Sequence, residues 1–220
     1  DVIWTPSKDG YLKPRVQIEP VQLSGVTIEY ASGFNAKFIE ENKIGIGAVI
    51  QIIRSGDVIP HIQSVTIPAE IVKMPDVPFR WTDTHVDIIL ENVDENETVK
   101  EKSAAQFFVY LKVDGLSIGN VKRLFQTGFD SVAKIIKMSK TDFEKVEGFK
   151  SKMAEKIYTS LHENLEKATL LDIMVASNKM GRGLAERKLQ PILETFPQIL
   201  SSKESPEIIE TRLMDIKGIG

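Results

Sequence analysis

"GAVIQIIRSGDVIPHIQSVTI", residues 47–67, decides how the first third of the chain is read. Ile50, Ile52 and Ile53 form an apolar run of strand length. Ser55, Gly56 and Asp57 supply a polar turn, and Val58, Ile59 and Pro60 resume the apolar pattern. Two β-branched runs joined through Gly read as a hairpin, with Arg54 beside its turn. Taken alone, the stretch assigns Val58 and Ile59 to a core. Outward from it, "RVQIEPVQL" (15–23) and "GVTIEYA" (25–31) are further strand-like runs, set off by Gly10, Gly25 and Gly47. One segment, "NAKFIEEN" (35–42), has helical spacing instead. Several short strands interrupted by one helix, within about 70 residues, predict a small closed barrel of the OB type.

Composition narrows the remaining choices. The 220 residues can form one large domain or two small ones. There is no cysteine, which excludes disulfides, thiol nucleophiles and cysteine-based zinc sites. His61, His85 and His162 are too scattered for a histidine cluster. No apolar run approaches the roughly 18 residues that a membrane helix needs, and no signal peptide is visible. The chain opens on Asp1 and closes on "KGIG", so it reads as a piece of a longer protein. A net charge of −3 argues against nucleic-acid binding, but the charge is segregated. Residues 1–70 carry 6 basic and 8 acidic side chains and residues 71–105 carry 4 and 8, whereas residues 106–220 carry 18 and 15. That segregation predicts separate units: a barrel over 1–70, a linker over 71–105 and an all-α domain over 106–220.

The helical part repeats. "VDGLSIGNVKRLF" (113–125) and "VEGFKSKMAEKIY" (146–158) share one layout: apolar residue, acid, Gly, apolar residue, polar positions, amphipathic helix. "SNKMGRGLAERKL" (177–189) is a looser copy, and "LMDIKGIG" (213–220) is the opening of a fourth. Recurrence at roughly 30 residues suggests helical hairpins. A glycine turn leading into a helix offers free backbone N–H groups and the positive end of the dipole, which suit a phosphate oxygen. Such contacts read no bases and need little net charge, so they are compatible with an acidic chain. The predicted contacts are Gly115, Ser117, Gly119 and Lys122 in the first copy, and Gly148, Lys150 and Lys152 in the second. Gly181, Arg182 and Gly183 follow in the third, with Gly218 and Gly220 in the fourth. Arg123 and Arg187 flank these turns. Ser117 and Lys150 stand where a second glycine is usual, and a non-glycine residue in a left-handed turn costs about 1 kcal/mol. Those turns are therefore expected to hold phosphate less closely.

The words inside this layout resemble NAD-dependent DNA ligases. Residues 12–60 are similar to the OB-fold of that family, including its Glu-Pro-Val, Gly-Val-Thr and Gly-Asp-Val-Ile-Pro stretches. "VDGLSIGNVKRLFQTGF" and "MSKTDFEKVEGFKSKMAEKI" are similar to its first two hairpins. The resemblance implies a multidomain protein: a small all-β OB-fold barrel followed by an all-α helix-hairpin-helix domain. It also implies a nucleotidyltransferase domain, absent from this chain, that takes AMP from NAD onto a lysine, and an absent BRCT domain. Arg54 matches an arginine on the DNA backbone near the nick, and Val58 and Ile59 match apolar residues that press into the minor groove. "SKDG" (7–10) is not the adenylation motif on this alignment, and Lys8 is instead a candidate phosphate contact. Asn35 matches the start of the OB helix, where capping is its simplest role.

Two departures stand out. Gln17 replaces an arginine, and residues 71–105 hold no ligands for the family's four-cysteine zinc finger. Either a metal-free hairpin around Trp81 and residues 86–90 replaces it or the segment is a tether, and the departure points to a divergent branch, a viral one included. The resemblance implies NAD and Mg2+ for the full reaction, no zinc in this chain, and no catalytic residue within it. Nicked double-stranded DNA is the implied partner of a monomeric, non-membrane protein in a bacterial cytoplasm or a host-cell replication site. A non-catalytic DNA clamp reusing the same two domains is the alternative, and a Lys-x-Asp-Gly motif upstream of Asp1 would decide between them.

Overall fold

The computed structural model describes every residue except Ser24, residues 54–59 and Gly220. The chain divides into two compact units, Asp1–Val99 and Lys100–Gly220.

The first unit is a sheet of seven strands: β1 (Val2–Pro6), β2 (Tyr11–Leu23), β3 (Val26–Ser32), β4 (Val49–Ile53), β5 (His61–Ile67), β6 (Phe79–Trp81) and β7 (Ile88–Leu90), with helix α1 (Ala36–Glu41) between β3 and β4. The strand order is β4-β5-β3-β2-β7-β6, with β1 also on β2. The first five strands and α1 give the expected OB layout. The ladder does not close into a complete barrel among the described residues. Period-two alternation organises β2: Leu12, Pro14 and Val16 turn inward while Lys13, Arg15 and Gln17 turn outward. Its register with β3 shifts between Gln17 and Val21, around Pro20, which has no N–H to donate. Val2, Val16, Ala31, Ile39, Ile44 and Ile62 form the core, with Ile50 and Ile52 half-buried against it. Asn35 caps α1 as expected, its side chain accepting the Phe38 N–H at 2.9 Å.

Residues 79–90 form a hairpin that joins the same sheet through Tyr11↔Ile89 and Leu12↔Ile88. Ile88 and Leu90 bury against Leu12, Ala36 and Val99, with Trp81 half-buried beside them. Val86 accepts the Lys37 N–H at 3.1 Å, and the His85 ring stacks on Trp81 at 3.9 Å.

Helix α2 (Glu97–Tyr110) crosses from the first unit into the second, which continues with α3 (Ile118–Gln126), α4 (Val132–Ile136), α5 (Lys140–Glu144), α6 (Ser151–Lys167), α7 (Leu170–Ser177), α8 (Glu186–Thr195) and α9 (Pro206–Met214). The larger core of the second unit includes Phe108, Leu116, Val121, Leu124, Ile135, Phe143, Ala154, Ile157 and Leu161. Met174, Leu189 and Ile192 centre a smaller one. Val121, Leu124, Ala154, Ile157 and Leu161 recur at helical spacing on α3 and α6, which is why these two helices pack inward on one face.

Candidate nucleic-acid interface

The helix starts of this unit are of two kinds, and α9, which begins at Ser205 without a side-chain cap but with Glu207 in its first turn, belongs with the uncapped ones. The helices α4, α5 and α7 are capped by their own chain. Ser131 Oγ accepts the Lys134 N–H, Ser139 Oγ the Asp142 N–H, and Thr169 Oγ1 the Asp172 N–H, each at 3.2 Å. The Asp142 and Asp172 carboxylates complete two capping boxes. Hydrogen bonds from the Ser139 hydroxyl and backbone N–H, then from Lys145, pull the Asp142 carboxyl down to about 2. The Thr169 hydroxyl and N–H lower that of Asp172 in the same way.

Helices α3, α6 and α8, the ones that follow glycine turns, have no side-chain cap at Ser117, Lys150 or Ala185. Helices α3 and α6 also have no acid in their first turns. The four leading N–H groups of a helix lack partners inside it, and here the N-cap side chains of α3 and α6 do not engage them. Gly115 (φ +82°) and Gly148 (φ +84°) make the left-handed turns. Asn120 Nδ2 donates to the Gly115 carbonyl at 2.8 Å, and Ser160 Oγ accepts the Asp114 N–H at 2.9 Å, which fixes the first turn. Lys122, Lys150 and Lys152 are exposed near these helix starts.

The expectation of strain at Ser117 and Lys150 is corrected. They lie at φ −69° and −86° with extended ψ, the ordinary N-cap conformation, so neither occupies a left-handed position. Gly119 lies within α3, and a Cβ there would meet nothing within 4 Å.

The later copies differ. Gly181 (φ +88°) and Gly183 (φ +94°) flank Arg182 in open surroundings. Glu186, however, occupies the first turn of α8 and accepts from Tyr110 Oη at 3.4 Å. Burial first, then the Glu186 charge, raises the Tyr110 pKa. A carboxylate at a helix start occupies the electrostatic place of a phosphate. Gly218 (φ +91°) makes the fourth turn, and Gly220 lies outside the described residues. The first two turns, with no acid at the helix start, therefore differ from the third, where Glu186 stands there.

In the first unit, Lys8 donates to Asp9 Oδ1 at 3.3 Å. Its turn is held by Ser7 Oγ, which accepts from the Tyr11 N–H at 3.1 Å. Arg54, Val58 and Ile59 lie outside the described residues, so their assignment rests on the resemblance. Among the described residues no three His, Cys, Asp or Glu side chains gather as a metal-binding group, and no helix is long and apolar enough to cross a membrane.

Sequence reasoning missed the position of Arg123. It was assigned to its own turn, but its Nη1 stands 2.9 Å from where a Cβ on Gly148, in the other hairpin, would lie. Nothing in the sequence signals this, because Gly148 lies in the other hairpin, 25 residues beyond Arg123.

An OB sheet unit and a helical unit with uncapped glycine-turn helices define a nucleic-acid-binding class of protein. Residues 1–71 match the NAD-dependent DNA ligase OB-fold domain, and residues 107–163, which include the Gly115 and Gly148 turns, match the SAM-like helix-hairpin-helix tandem. A "DNA ligase" of Acanthamoeba polyphaga mimivirus is 44% identical over 219 residues, covering 99% of this chain and 34% of the relative. "Putative DNA ligase 052L" of Invertebrate iridescent virus 3 is 38% identical, covering 98% of this chain and 28% of the relative. A "DNA ligase" of Desulfatibacillum aliphaticivorans is 32% identical, covering 66% and 24%. Along nearly its whole length the chain is similar to part of these DNA ligases, and its first 71 residues match the OB-fold domain of the NAD-dependent kind. It spans about a third or less of the length of these relatives.

Proposed function

We propose that this chain is the DNA-gripping clamp portion of an NAD-dependent DNA ligase acting on nicked duplex DNA. The observation that carries this reading is the pair of uncapped, acid-free helix starts behind Gly115 and Gly148. Backbone N–H groups aimed outward at the positive end of a dipole take a phosphate oxygen without reading sequence. The whole protein transfers AMP from NAD to a lysine, then to the 5′-phosphate at the nick, and the 3′-hydroxyl displaces AMP as the strand is sealed. NAD and Mg2+ serve that chemistry. The residues of this chain hold and orient the backbone, with Ile118 and Gly119 N–H groups at one turn and Ser151 and Lys152 N–H groups at the other. Arg54, Val58 and Ile59 add the nick-proximal contact that the family resemblance assigns to them. The chain works as a monomer, in a bacterial cytoplasm or at a viral replication site, and alone it grips DNA without sealing it.

Gly119→Asp tests the reading cleanly. A Cβ at this position meets open space, and an acid in the first turn suits the helix dipole. Thermal stability is therefore expected to hold or rise, while affinity for nicked duplex falls about tenfold, equivalent to roughly 1.4 kcal/mol. Unchanged affinity in this stable variant would refute backbone-amide binding at the first turn.

A further inference from the structure

The first two hairpins are related by an offset of 33 residues, which carries Gly115 to Gly148, Ser117 to Lys150, Val121 to Ala154, Arg123 to Lys156 and Leu124 to Ile157. The two copies pack reciprocally. A Cβ on Gly115 would lie 2.6 Å from Ile157 Cγ1 on α6, and one on Gly148 would lie 2.9 Å from Arg123 Nη1 on α3. Each turn is thus closed by the second helix of the other hairpin. The cations follow the same exchange. Arg123 stands five residues beyond Ile118, about 7.5 Å along its own helix, with its guanidinium at the Gly148 turn. Its repeat partner Lys156 reaches back to the first hairpin, with Nζ 3.3 Å from Asp114 Oδ2 beside Gly115.

We infer that the two hairpins exchange cations: Arg123 of the first supplements backbone binding of a DNA phosphate at the Gly148 turn, and Lys156 of the second serves the Gly115 turn. This rests on the DNA-binding reading and adds to it which positive charge acts at which turn. At the second turn the guanidinium offers planar donors next to Gly148, the residue that turns the chain into α6. At the first turn Lys156 offsets the Asp114 carboxylate that an approaching phosphate meets. The pairing makes the tandem one binding unit, because removing either second helix removes the cation of the other turn.

A double-mutant cycle on a labelled nicked duplex separates this inference from local assignment. Arg123→Ala, Lys150→Ala, Lys122→Ala and the doubles of Arg123→Ala with each lysine variant are titrated at several salt concentrations. Thermal melts confirm that each variant is folded. Arg123→Ala is expected to lower the salt slope by about one, and Arg123→Lys to restore it. Exchange predicts that Arg123→Ala and Lys150→Ala, acting on one phosphate, are non-additive by about threefold or more. It predicts that Arg123→Ala and Lys122→Ala, acting on different phosphates, are additive. Coupling to Lys122 in place of Lys150, additivity with both, or an unchanged salt slope would overturn the inference. If the parent chain fails to bind duplex DNA, the DNA-binding reading falls, and the exchange falls with it.

Discussion

Gly115 and Gly181 have nearly the same backbone conformation, φ +82° and +88°, but different surroundings. A methyl on Gly115 meets Ile157, a fully buried side chain of α6, at 2.6 Å, whereas one on Gly181 meets nothing within 4 Å. Gly181→Ala is expected to cost only left-handed strain, about 1 kcal/mol. Gly115→Ala adds overpacking and is expected to cost about 2–4 kcal/mol in chemical denaturation. Equal costs would show that the Gly115 turn is not closed by α6. The sequence identified these glycines as turns because acid-Gly-apolar recurs before each helix. It could not rank them, since Ile157 is remote in sequence from Gly115. The same limit placed Arg123 at its own turn: nearness along the chain was the available guide, and the reach of Arg123 to the Gly148 turn defeats it.

At the scale of the element, each helix start is built either to be satisfied within the chain or to be left open. Asp142 illustrates the satisfied kind. Its folded pKa of about 2 lies below the usual 3.8 because the charged carboxylate accepts from Ser139 and Lys145. A depressed acid stabilises the fold above its unfolded pKa, and that contribution is lost as pH falls through the folded value. The helical unit should therefore lose stability between about pH 4 and pH 2, and Asp142→Asn should flatten that part of the profile. A helical melt in which parent and variant have parallel pH profiles would remove the capping box from the account. Ser139 and Asp142, like Thr169 and Asp172, have capping-box spacing and are legible in the sequence. The open starts were legible as glycine turns. The absence of an acid separates α3 and α6 from α8, where Glu186 fills the first turn. Strain at Ser117 and Lys150 was misread because a glycine-like place in a motif was equated with a glycine-like backbone.

At the scale of the whole molecule, the two layouts, strands with one helix and then repeated helical hairpins, were visible in residue type and periodicity. The β6–β7 hairpin was less visible, because its short strands make sense only once paired with β2. The two units give separable readouts: both tryptophans, Trp4 and Trp81, lie in Asp1–Val99. Gly115→Ala is expected to lower the far-ultraviolet helical transition while leaving the tryptophan fluorescence transition in place. A common shift of both would mean that the units unfold as one. The central claim, that this chain grips DNA through phosphate contacts at its hairpins, is tested most directly by salt titration of its binding to a labelled nicked duplex. The account predicts saturable binding whose log affinity falls linearly with log salt, by about 0.9 per phosphate engaged. No saturable binding at low salt, or binding indifferent to salt, would contradict it.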